Sequence, residues 1–197
     1  MRVRLLFAFL FVAPLANAAM SVISGDAAFQ SIAFDEQSVS FDLFPVGFNP
    51  STSLQLGDVS VVLTQAGSSP IFGPGSLFGF PTNFLSTGVE YGGNEVVITF
   101  PAGTCAGGVQ LVSVFPITLT AAGASGERIT VDFSSSTLAF LAFSSDRGLA
   151  SITVSSRPAT NTPIVNIGDI SYAPVLVTPR KGPRACRRRS SDDVREN

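Results

Sequence analysis

The feature that most constrains this chain is a two-residue alternation of apolar and polar side chains, repeated along its length and broken by turn residues. Val39, Phe41 and Leu43 alternate with Ser38, Ser40 and Asp42. Ile129, Val131 and Phe133 alternate with Arg128, Thr130 and Asp132, and Ile152 and Val154 with Ser151, Thr153 and Ser155. Successive side chains of a strand leave opposite faces, so this period places one face on a core and the other in water. Val59 to Leu63, Val96 to Phe100, Val109 to Phe115 and Leu138 to Phe143 are apolar for longer, which predicts central strands covered on both faces. Shorter candidates are Ile117 to Thr120, Pro163 to Ile167 and Asp169 to Ala173.

Turn chemistry separates these runs at Gly92-Gly93-Asn94, Pro101-Ala102-Gly103, Gly107-Gly108, Gly123 to Gly126, Ser145 to Gly148 and Gly168-Asp169. No window beyond residue 18 carries an apolar stripe at helical spacing for three turns. About nine or ten short strands with frequent turns predict an all-β fold, an antiparallel β-sandwich of jelly-roll type. The stretch from Gln65 to Gly93 is rich in Gly, Pro, Ser and Phe and reads as a long decorated loop holding at most one short strand.

The chain opens with Arg2 and Arg4, an uncharged run from Leu5 to Leu15, and the small-residue ending Ala16-Asn17-Ala18. That is the layout of a cleavable secretory signal, with cleavage expected between Ala18 and Ala19. The apolar run is too short for a helical span, which takes about 20 residues. The predicted organisation is a signal over 1–18, one sandwich domain over 19–179 and a basic tail over 180–197. The expected location is secreted or periplasmic, with no membrane span in the mature chain.

Charge divides along the same lines. Between residues 19 and 179 eleven acidic side chains face three basic ones, a net of −8, whereas residues 180–197 carry seven bases and three acids. An acidic body repels phosphate backbones, so nucleic acid is not an expected partner. The tail has no apolar partner to fold on and is expected to be disordered. Cys105 and Cys186 are too few for a disulfide framework, and unpaired thiols are the expectation.

The chain contains no histidine. Ser-His and Cys-His nucleophilic systems are therefore excluded, along with histidine bases and the commonest transition-metal ligand. No phosphate-binding loop motif or zinc cluster is present. A glycosidase needs only two suitably placed carboxylates, but the sole adjacent pair, Asp35-Glu36, would point to opposite faces of a strand. No catalytic or cofactor-binding residue is assigned. Calcium is the one candidate ion, with Asp26 and Asp169 as its candidate ligands if the terminal strands pair. The alternative is two turn-forming aspartates. Phe72, Phe78, Phe80 and Phe84 could cap one end of the sandwich or form an exposed patch. The absence of Trp and the two tyrosines, Tyr91 and Tyr172, argue against a broad planar sugar-stacking platform.

Residues 95–172 resemble the extracellular domain of bacterial proteins of the PEP-CTERM sorting class. The matching elements are Val97 to Phe100 with the strand from Val109 to Val114, Phe140-Leu141-Ala142-Phe143-Ser144-Ser145-Asp146, Leu149 to Val154, and Asp169-Ile170-Ser171-Tyr172. The resemblance implies a jelly-roll-like fold and a role at the cell surface or in its matrix. That class ends in Val-Pro-Glu-Pro, a hydrophobic helix and an arginine cluster. Here Ala173 to Val177 leads directly to Arg180, so free secretion is expected rather than sorting. The functional expectation is a non-catalytic binding or structural module. The alternatives are a glycan-binding or glycan-hydrolysing envelope protein using paired carboxylates, and a self-assembling surface protein. The expected partners are extracellular polysaccharide or a surface protein.

Overall fold

The structure, a computed structural model, describes residues 19–49, 51–64, 70–88, 95–156, 163–178 and 182–185. The side chains of 175–178 and 182–185 are not described, and the signal region 1–18 and the tail from 186 onward lie outside these residues. Twelve strands form one continuous antiparallel network. Its spine is two long strands, β10 (Ala106–Gly123) and β11 (Arg128–Ser145), paired along most of their length and joined by the turn at 124–127. Their register shifts between Leu111 and Ile117, at Pro116, which lacks the N–H a ladder needs. That irregularity lets the two halves of each strand belong to different layers.

The first layer runs β4 (Gly47–Phe48), β7 (Ile71–Gly73), β8 (Phe84–Gly88), β13 (Ile164–Ala173), then the first half of β10 and the second half of β11, ending on β1 (Met20–Ser24). A short strand, β3 (Gln37–Val39), takes the place of β8 along the far end of β13. The second layer runs β5 (Ser53–Leu56), β6 (Val59–Leu63), β9 (Val96–Thr99), β12 (Leu149–Ser156), then the second half of β10 and the first half of β11. One apolar core fills the space between them. Val61, Ile98, Leu119, Ile152 and Val154 come from the second layer, and Phe72, Leu85, Leu111, Phe143, Ile167 and Ile170 from the first. The expected antiparallel sandwich is therefore present. Burial of large aliphatic and aromatic side chains, each contributing about 1.5–3 kcal/mol, holds the layers together.

Several expectations differ in detail. Gly107-Gly108 and Gly168-Asp169 are not turns but lie inside β10 and β13. The stretch 65–93 contains two strands, β7 and β8, within its described part. Part of the tail expected to be disordered, Gly182–Ala185, is a strand. Strands β14 (Val175–Thr178) and β15 (Gly182–Ala185) form a hairpin whose β14 pairs with β2 (Ala33–Phe34), making a separate three-stranded sheet. Cys105 is not a free thiol but takes part in a disulfide.

The first layer also carries an outer covering. A one-turn helix, α1 (Asp26–Gln30), buries Phe29 completely against Phe140, with ring centroids 5.3 Å apart. Ile23, Ala106, Ala142 and Ala173 complete that small cluster. Among the described residues no helix is long and apolar enough to cross a membrane.

Candidate functional site

Two places gather chemistry. The first lies on the outer face of the first layer. Strand pairing lines up Phe48, Ile71, Ser86, Asn166 and Val112 as one row across five strands, since directly paired residues face the same side. At the β4 edge the row is open to solvent, with Phe48 67% and Ile71 52% exposed. Towards the centre it is covered by the segment 74–83, which folds back across the sheet. Phe80 stacks on Phe84 at 5.3 Å, and Phe78 meets Phe84 edge-on at 5.2 Å while staying 43% exposed. Glycines make room for these rings: a Cβ on Gly73 would lie 2.2 Å from Phe84 Cζ, and one on Gly168 would lie 2.3 Å from Phe80 Cδ1.

Polar groups sit along the same strip. Asp169 lies in β13 where β8 gives way to β3, and Thr82 donates its hydroxyl to Asp169 Oδ1. Asp42, in the 3-10 turn Phe41–Leu43, accepts from the Asn83 backbone N–H at 2.8 Å. The Asn83 side chain donates to the Phe44 carbonyl at 3.3 Å. Burial raises the Asp169 carboxyl above its ordinary value; the Thr82 hydrogen bond partly opposes this, and the charge of Asp42 raises it further. The Gln110 amide oxygen, close to Gly168, is buried without a hydrogen-bond partner among the described residues. The strip thus carries a partly exposed aromatic ring, Phe78, and an exposed carboxylate, Asp42.

The second place is a cavity of about 380 Å³ at one end of the sandwich. Its walls are the turn Thr99 to Gly103, Ala124 from the β10–β11 turn, and Arg147 to Ala150 at the start of β12. Arg147 is its one charged residue. Behind it, Ser145 donates to Glu127 Oε1 at 2.7 Å and accepts from the Arg147 backbone N–H at 3.2 Å, and Glu127 Oε2 is buried without a hydrogen-bond partner among the described residues. Nearby, Tyr172 packs against Phe100 with centroids 6.3 Å apart; burial, and secondarily the charge of Asp58, raise its phenol.

No family model matches the chain, and no curated protein matches it. The solved structures similar to it include the family 29 carbohydrate-binding module from Piromyces equi, at 14% identity and a TM-score of 0.43 over 70% of this chain and 91% of that one. Another is a family 29 carbohydrate-binding module at 11% identity and 0.44, over 71% and 89%. A ligand-recognition mutant of such a module gives 12% and 0.44, over 70% and 90%.

The sequence-based site residues fall as follows. Asp26 is exposed on α1, where Gln30 donates to its Oδ2 at 2.9 Å. The carboxylate that Asp169 senses is Asp42, and the strand that pairs with β1 is β11 rather than β13. Among the described residues no three His, Cys, Asp or Glu side chains converge as a metal-binding group. Ala18 lies outside the described residues, and Ala19 precedes β1 directly, its carbonyl accepting from the Asp146 N–H at 3.4 Å. Reading the sequence missed Asp42, Thr82, Asn83 and Gln110. Thr82 and Asn83 carried one signal, turn-forming polar residues between apolar segments, which does not say which strand they meet.

Proposed function

We propose that this chain is an exported, non-catalytic β-sandwich that acts as a binding or structural module in the cell envelope or outside the cell. One observation carries this reading: among the described residues, the cavity beside Arg147 and the neighbouring carboxylates Asp42 and Asp169 do not coincide. The cavity walls contain one cation and no carboxylate. Asp42 and Asp169 are engaged by the Asn83 N–H and the Thr82 hydroxyl where β8 and β3 meet on β13. An acid–base pair must face the scissile bond from an accessible site, and this arrangement instead fastens a strand junction. The exposed apolar run Leu43, Val46 and Phe48, with Ile71 beside it, supports an interaction surface on the same side.

A polysaccharide is the ligand class favoured by the strip along residues 78–84. Sugars present C–H faces that pack on an aromatic ring and hydroxyls that donate to carboxylates and amides. Phe78 supplies such a ring, and the exposed carboxylate of Asp42 supplies an acceptor. The test is a glycan array probed with the mature protein and with Phe78→Ala, followed by reducing-end analysis of every glycan bound. Binding that Phe78→Ala weakens at least tenfold, with no product released, is the expected result. Hydrolysis abolished by Asp169→Asn would overturn the non-catalytic reading, and binding indifferent to Phe78 would remove the strip as the site.

A further inference from the structure

The core of the sandwich is left open along one edge of the second layer. Strand β11 ends that layer, and over residues 128–135 it pairs with β10 alone among the described residues, since β1 joins it only at 141–145. The backbone N–H and C=O groups along such an edge are a template for a further strand. Inner-face side chains record the gap. Ile117, Leu119 and Ala121 of β10 are fully buried. Phe133, Val131 and Ile129, directly opposite them, pack on the same core yet stay partly exposed. The other edge of the layer is already closed, with Leu54 and Leu56 of β5 only 3% and 1% exposed. The match for the β11 edge is therefore the same edge of a second copy, not β5.

We infer that the β11 edges of two copies pair antiparallel about a two-fold axis beside Thr130, joining their second layers into one continuous sheet. The charges set the register. Arg128, Thr130 and Asp132 are exposed along the outer face. Thr118 donates to Asp132 Oδ1 at 3.3 Å, and the Thr120 and Thr130 hydroxyls are 3.1 Å apart, which hold that row in order. Directly paired residues must face the same side, so outer residues can meet only outer ones. An axis on Thr130 sets Arg128 of each copy opposite Asp132 of the other, and does so twice. It also sets Ile129 opposite Val131 on the inner face, so each copy covers the apolar side chains the other leaves open. An axis on Arg128 or Asp132 would set that charge against itself, and one on Ile129 or Val131 would match neither charge with an opposite one. A contact of this isologous kind uses the β11 edge of each copy, so assembly through it stops at two.

The experiment is sedimentation velocity on the mature, full-length chain over a range of concentrations. The parent should form a dimer that dissociates on dilution, and outward-pointing amides within 129–133 should exchange hydrogen more slowly as it forms. Arg128→Asp and Asp132→Arg each set like charges across the axis and should weaken the dimer about tenfold or more. Mixed in equal amounts, the two variants restore both opposite-charge pairs, so they should form a heterodimer as tight as the parent dimer. That recovery also shows both variants to be folded. A parent that stays monomeric at its highest soluble concentration would overturn the proposal and leave the edge to a strand of another protein. Species larger than two copies, single variants that dimerise as well as the parent, or a mixture that does not recover would overturn it too. None of these readouts involves a ligand, so they succeed or fail independently of polysaccharide binding.

Discussion

A methyl group on Gly168 would sit 2.3 Å from the Phe80 ring and 3.0 Å from the Gln110 amide oxygen, in the middle of a strand. Gly168→Ala must therefore displace Phe80 from its stack on Phe84, an overpacking cost of about 1–3 kcal/mol. Urea denaturation should show that loss, and an unchanged midpoint would mean that Phe80 does not lie over Gly168. Its neighbour Asp169 makes a pH-dependent contribution. Burial, with the Asp42 charge in support, raises its carboxyl above 3.8, so the folded chain holds that proton more tightly than the unfolded chain. Stability from this group is then complete at low pH and is lost as pH rises through the folded-state value. Asp169→Asn keeps an acceptor for Thr82 and removes the charge. It should raise the melting temperature at neutral pH, with the gain shrinking towards acid. A gain that does not vary with pH, or a loss at neutral pH, would contradict this.

Among the elements, α1 shows how little helix suffices when one side chain is fully buried. Five residues are far too few for an independent helix, so Phe29, packed edge-on against Phe140 with 0% exposure, holds the segment in place. Phe29→Ala should cost about 3–5 kcal/mol. Hydrogen exchange should localise the loosening to α1 and β2, leaving β9 and β12 protected; uniform deprotection would show that the outer covering is part of the main core.

The same scale shows what was legible in the sequence. Alternation in 128–133 and 151–155 and the apolar run 96–100 placed strands where they are, because each has one or both faces on the core. Gly107-Gly108 reads as a turn because glycine usually supplies unusual backbone angles. Here it supplies absence instead: a Cβ on Gly107 would meet Phe100 Cζ at 2.6 Å, and one on Gly108 would meet Ala142 Cβ at 2.4 Å. Close approach and turn formation leave the same letter, so β10 appeared to begin at Val109 rather than at Ala106. Strand β8 was hidden for a different reason. Phe84 covers the outer face and Leu85 the core, so the outer covering erases the alternation that marks a strand. The candidate site was least legible, since Thr82 and Asp169 are 87 residues apart in the chain and meet only because β8 and β3 both pair with β13.

For the molecule as a whole, the account is that one core joins two layers, and that the outer face of the first layer meets a ligand without transforming it. Titration calorimetry of the mature, oxidised protein against the best-bound polysaccharide, with the cell contents then analysed for cleaved chains, tests that most directly. The account predicts saturable heat, lost in Phe78→Ala, and a polymer recovered at its original length. Shortened chains, or saturable heat unaffected by Phe78→Ala, would contradict it.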